Sequence, residues 1–94
     1  MSNELVRAEI LVNGLVQGVG FRYFVMREAH KLNLFGYVKD LYTGEVLSVV
    51  EGEKFVVEEF FQKLKVGPMH AQVKNSSIQR GEYKNEFSTF EITL

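Results

Sequence analysis

The segment Gly14-Leu15-Val16-Gln17-Gly18-Val19-Gly20-Phe21-Arg22 holds the residues of this 94-residue chain best suited to chemistry. Three glycines within seven residues, between an alternating apolar run and a helical one, let successive backbone N–H groups converge. Such a concavity at the positive end of a helix dipole binds phosphate or carboxylate. Arg22 falls in the first turn of that helix, where the dipole mildly disfavours a cation. An anion held between Arg22 and the loop would remove the conflict, because a guanidinium can pair with phosphate oxygens through two parallel hydrogen bonds. The same residues also fit a glycine-rich turn beside a surface arginine, and composition leaves both readings open. The loop is not a Walker A motif, since no Gly-Lys-Ser/Thr follows. It is not GxGxxG either, because Tyr23 stands where the third glycine would be.

Other chemistries find little support. There is no cysteine, which excludes disulfides, thiolate catalysis and thiolate-ligated metals. His30 and His70 lie in a helix and a loop with no ligand spacing between them, so no metal and no cofactor is expected. Glu58 and Glu59 read as a solvated helix face rather than an acid/base pair. Tyr23, Phe24 and Phe35 could stack on bases, but the net charge of −1 leaves no basic footprint. No nucleic acid and no anionic membrane is expected as partner, and any anion site must be local. The start, MSNELVRAEILVNG, lacks a basic stretch followed by an apolar one, so neither a signal peptide nor a membrane span is read there. The expectation is a cytoplasmic monomer.

The elements that must position Gly14–Arg22 follow from periodicity. Val6, Ala8, Ile10 and Val12 alternate with polar residues, as a half-buried strand requires. Phe21 to Leu32 switches to helical spacing, with Phe21, Val25, Ala29 and Leu32 on one stripe. Asn33 suits the left-handed position that ends such a helix, and Leu34 can fold back onto it. Phe35–Lys39 and Glu45–Glu51 read as strands joined by a hairpin over Asp40-Leu41-Tyr42-Thr43-Gly44. Lys54–Val66 is helical, with Val57, Phe60, Phe61 and Leu64 inward, and Gly67-Pro68 stops it. Val73–Arg80 is polar enough for an edge strand, and Phe90, Ile92 and Leu94 alternate in a last one. A chain of this size with 46% apolar residues supports one core and one domain, residues 1–94. The order predicts an α+β, ferredoxin-like split βαβ sandwich: an antiparallel sheet with two helices on one face.

The run VQGVGFR, Val16 to Arg22, resembles the signature of the acylphosphatase family. GYVKD, Gly36 to Asp40, is similar to that family's second motif. Gly67-Pro68 with Ala71 and the closing Phe90-Glu91-Ile92 also agree in spacing, so the resemblance covers nearly the whole chain. It implies metal-independent hydrolysis of acyl phosphates, mixed anhydrides of a carboxylic acid and phosphate, to carboxylate and inorganic phosphate. The substrate would be a small-molecule acyl phosphate, with inorganic phosphate as product or inhibitor. By the same resemblance, the backbone amides of Leu15, Val16, Gln17, Gly18, Val19 and Gly20 hold the phosphoryl group together with Arg22. An asparagine that ends the second motif orients the attacking water.

Here that position is Asp40. An ionised carboxylate only accepts hydrogen bonds, and it sets a negative charge beside an anionic substrate. Two outcomes follow: an enzyme weakened or retuned at neutral pH, or a non-catalytic phosphate- or acyl-phosphate-binding module. Thr43 replaces the aspartate usual before the turn glycine and can still make a weaker local bond. Gln17 and Tyr42 are further candidates for the substrate border.

Overall fold

A computed structural model describes residues 4–94. The first three residues of the N-terminal run discussed above lie outside the described residues. The elements are β1 (Leu5–Leu15), α1 (Phe21–Lys31), β2 (Phe35–Asp40), β3 (Val46–Glu53), α2 (Lys54–Val66), β4 (Gln72–Glu82) and β5 (Phe90–Ile92). They form a five-stranded sheet in the order β4-β1-β3-β2-β5. The first four strands have the split βαβ arrangement, and β4 is an edge strand as its polar sequence predicts.

Alternation decides which residues of each strand enter the core. Ala8, Ile10 and Val12 of β1 are buried, as are Val38 of β2 and Val46 and Val50 of β3. Phe21, Val25 and Ala29 of α1 and Val57, Phe60, Phe61 and Leu64 of α2 complete one apolar cluster with Phe90. Helix α1 ends as expected. Asn33 has φ of +56°, Leu34 N–H donates to Ala29 O and Asn33 N–H to His30 O, and Leu34 is buried. This is the paired closing motif that satisfies the last carbonyls of a helix. His30 Nε2 donates to the Phe90 carbonyl at 3.0 Å, tying α1 to β5.

The sheet corrects one expectation: it is mixed, not antiparallel throughout. β5 runs parallel to β2, with Gly36 opposite Phe90 and Val38 opposite Ile92. The reason lies in the segment between β4 and β5. It crosses from one edge of the sheet to the other over the face away from the helices, and so β5 arrives running with β2. Glu51 anchors this crossing. It is only 2% exposed and accepts hydrogen bonds from the backbone N–H groups of Lys84 at 2.7 Å and Glu86 at 3.0 Å. Arg7 reaches the same carboxylate and lies over the Phe87 ring at 5.2 Å, while Tyr37 meets that ring edge-on. Burial disfavours charge on Glu51, but the two N–H groups and Arg7 outweigh it and hold the carboxyl below the usual carboxylate range.

β1, β2 and β5 all point the same way, because β1 and β2 both pair antiparallel with β3 and β5 is parallel to β2. Their C-terminal ends therefore meet at one end of the sheet. This delivers the glycine-rich loop, Asp40 and the residues after Ile92 to a common place.

Candidate functional site

The loop between β1 and α1 is held by side chains that turn inward. Val16 is fully buried, and Val19 packs partly buried against the core. Gly18 and Gly20 have φ of +75° and +76°, and no positive φ is found at Gln17, Val19 or Phe21. Backbone whose φ alternates in sign at successive residues aims its N–H groups to one side and forms an anion-binding concavity. Gly20 also occupies the N-cap of α1, where glycine has no side chain to accept a hydrogen bond from the first helical turn. Gln17 and Gly18 form a hydrogen-bonded turn, and no side chain caps the first N–H groups of α1. Uncapped N–H groups at the positive end of a helix are suited to an anion.

Two side chains flank this end of the sheet. Arg22 extends from the first turn of α1 and Asp40 from the end of β2, and Arg22 Nε lies 3.4 Å from Asp40 Oδ2. Both are about one-third exposed, at 35% and 31%. The contact uses the Nε side of the guanidinium, so a planar fork of two terminal nitrogens can still face a ligand. Asp40 Oδ1 is buried without a hydrogen-bond partner among the described residues. An acceptor left in this state is a place for a donor to arrive, since an unmade hydrogen bond at a buried oxygen costs about 1–3 kcal/mol.

Gln17 links the loop to the hairpin after Asp40. Its Nε2 donates to Leu41 O and to Glu45 O, both at 2.9 Å. Both donor hydrogens of Gln17 thus hold the β2–β3 hairpin, which Leu41 N–H to Glu45 O and Gly44 N–H to Leu41 O also close. Thr43 makes the weaker local bond expected of it, accepting from Glu45 N–H at 3.3 Å.

A cleft of about 590 Å³ opens here. Of the residues singled out in the sequence, Gln17, Arg22, Asp40 and Tyr42 line it together. Leu15, Val16, Gly18, Val19 and Gly20 are not among the residues that line it. Lys39, Leu41, Thr93 and Leu94 also line it and were not anticipated. Leu41 and Lys39 flank Asp40 in sequence and could have been suspected. Thr93 and Leu94 depend on the parallel pairing of β5, for which the sequence carries no signal.

The other candidates stay apart. His30 is engaged with Phe90, and among the described residues no three His, Cys, Asp or Glu side chains gather as a metal site would require. Glu58 does not pair with Glu59. It receives two hydrogen bonds from Arg80, at 2.6 and 2.7 Å, and these hold its carboxyl below the usual range. No helix among the described residues is long and apolar enough to cross a membrane.

Against known proteins, residues 8–92 match the family model described as acylphosphatase. A curated acylphosphatase of Moorella thermoacetica is 50% identical over 88 residues, 94% of each chain. One from Aeropyrum pernix is 45% identical over 91 residues, covering 96% of this chain and 90% of its own. The crystal structure of acylphosphatase from Bacillus subtilis superposes with a TM-score of 0.91 at 35% identity, over 95% of this chain and 99% of that one.

Proposed function

The chain belongs to the acylphosphatase family, and we propose that it hydrolyses acyl phosphates without a metal ion, using Arg22 and the loop amides as phosphate clamp. Acyl phosphate hydrolysis is the chemistry of the family; the residue roles are this proposal. The observation that carries it is the convergence of Gln17, Arg22 and Asp40 at one cleft, with Arg22 in the first turn of a helix that no side chain caps.

The reaction asks little of the protein. Water oxygen attacks phosphorus, the bond from phosphorus to the acyl oxygen breaks, and the electron pair leaves with a carboxylate. Carboxylic acids ionise near pH ~4, so the leaving group needs no proton at neutral pH. The proton of the water ends on the released phosphate. What remains is to fix the phosphoryl oxygens and the angle of attack, and to offset charge that spreads over the equatorial oxygens. The N–H groups of Leu15 to Gly20 and the terminal nitrogens of Arg22 suit the first task. Residue 40, beside the guanidinium, suits the second, with its unpartnered Oδ1 as the acceptor for water.

Asp40 weakens this arrangement at neutral pH. Its carboxylate draws on the same guanidinium that the phosphate needs and repels the incoming anion. The Arg22–Asp40 contact is also what favours the second reading, a phosphate- or acyl-phosphate-binding module that turns over little or not at all. Hydrolysis of benzoyl phosphate in the presence of a chelator tests the proposal. Turnover that persists without metal supports it. Saturable phosphate binding without turnover favours the module, and a loss of rate that added zinc or magnesium restores contradicts the metal-free route. A cytoplasmic monomer is part of the same reading.

A further inference from the structure

The phosphoryl group occupies only part of the cleft. A phosphate held by Arg22 is compact, whereas the cleft extends along residues 39–42 to Thr93 and Leu94. The rest of the wall comes from Leu41, Tyr42 and Leu94, with Lys39 at the rim. Tyr42 and Leu94 are fully exposed, so this part is an open shelf that cannot select an acyl group by enclosing it. Charge is the stronger discriminator available.

Lys39 supplies it. Val38 and Asp40 face the helices, so the alternation of β2 sends Lys39 toward the opposite face. β5 pairs with β2 only as far as Val38, so Lys39 stands at an uncovered edge and borders both the cleft and a shallow groove behind it. Asp40 takes up Arg22, whereas the Lys39 side chain has no hydrogen bond and no ion pair among the described residues. Glu86 and Glu91 line the groove behind it but lie beyond ion-pair distance. A cation without a carboxylate partner, at the rim of an anhydride site and away from the phosphate clamp, is placed to meet charge on the other half of the substrate.

We propose that the preferred substrates are acyl phosphates whose acyl group carries its own carboxylate, with the apolar chain laid on Tyr42 and Leu94 and the carboxylate read by Lys39. This inference rests on the hydrolytic reading above. The contact is solvent-exposed, so it is worth a modest factor that salt screens.

The test compares succinyl phosphate with butyryl phosphate, which matches it in chain length but lacks the terminal carboxylate. At low ionic strength the wild-type ratio of kcat/KM, succinyl over butyryl, is expected to fall about fivefold in Lys39→Met and in 0.5 M salt, and to be largely kept in Lys39→Arg. Calorimetry with the two corresponding non-hydrolysable phosphonates should show the same change in the ratio of dissociation constants. A ratio that Lys39→Met leaves unchanged in both measurements overturns the inference. Absence of turnover on both substrates, with the phosphonate ratio still dependent on Lys39, would overturn the hydrolytic reading and with it the substrate preference, leaving only carboxylate recognition by Lys39 in binding.

Discussion

Replacing Asp40 by asparagine is expected to raise turnover at neutral pH by about tenfold or more. The two groups that set the magnitude are 3.4 Å apart, Arg22 Nε and Asp40 Oδ2. A phosphoryl group bound on the outer edge of the guanidinium would put its nearest charge on the order of 5 Å from the carboxylate. At an effective dielectric near 20, two unit charges at that separation repel by roughly 3 kcal/mol. Asp40 is 31% and Arg22 35% exposed, so solvent removes a good part of this. About 1.4 kcal/mol of relieved repulsion corresponds to the tenfold gain. Asparagine also regains a donor while keeping an acceptor for water. The assay is benzoyl phosphate hydrolysis at pH 7, corrected for the spontaneous reaction, with inhibition by inorganic phosphate measured alongside. Both kcat/KM and phosphate affinity should rise in Asp40→Asn, and the gap should narrow in high salt. Equal rates in the two proteins would remove Asp40 from the reacting centre. A large loss would make its carboxylate a working base and reverse the argument.

Arg22→Ala should lower kcat/KM by at least about a hundredfold, the scale of losing a preorganised charge-stabilising donor, with an unchanged melting temperature; Arg22→Lys should recover little, since a point charge lacks the planar fork. Gly18→Ala and Gly20→Ala should weaken inorganic phosphate binding, measured by calorimetry, more than they lower stability. An added Cβ meets nothing within 4 Å at either position, so the cost to the fold is that of a positive φ, about 1 kcal/mol, whereas a relaxed loop would no longer converge its N–H groups. Glu51→Gln should lower the stability of the fold by roughly 2–3 kcal/mol, read from urea unfolding, because its amide nitrogen would face a backbone N–H. Glu51 is held below the usual carboxylate range in the fold. Its contribution is therefore present above the unfolded-state value near pH ~4.3 and is lost as pH falls through the lower folded-state value. Wild-type urea midpoints should drop along that acid limb, and Glu51→Gln should flatten it.

Most of the fold is written in local periodicity. The residues that alternation and helical spacing select in β1 and both helices are buried, except that Val6 and Leu32 are only partly so, and Asn33 takes the positive φ that its place predicts. What could not be read is non-local. The parallel pairing of β5 depends on the crossing over residues 83–89, and that crossing depends on one buried carboxylate, Glu51, which lies 33 and 35 residues before the two N–H groups it accepts from. A glutamate at a strand end ordinarily reads as exposed. In the structure Val49, Val50 and Glu51 are successive and all buried, because both faces of the strand are covered. The candidate site was legible at its loop. Glycine spacing and the first-turn arginine located the loop, because conformational freedom and charge are properties of residue type. The Arg22–Asp40 contact, the two bonds from Gln17 to the hairpin and the place of Lys39 needed the sheet register, which brings strand ends together that are far apart in sequence.

The account stands most directly on one isotopic measurement. Acyl phosphate is hydrolysed in water enriched in oxygen-18 by the wild-type protein and by Arg22→Ala, with the spontaneous reaction subtracted. If the phosphoryl group sits on Arg22 and the loop amides and water attacks phosphorus from the side of residue 40, the label appears in inorganic phosphate, and catalysed label is nearly lost in Arg22→Ala. Label in the carboxylate product would mean attack at the acyl carbon, and undiminished labelling of phosphate by Arg22→Ala would mean that the clamp lies elsewhere; either result contradicts the account.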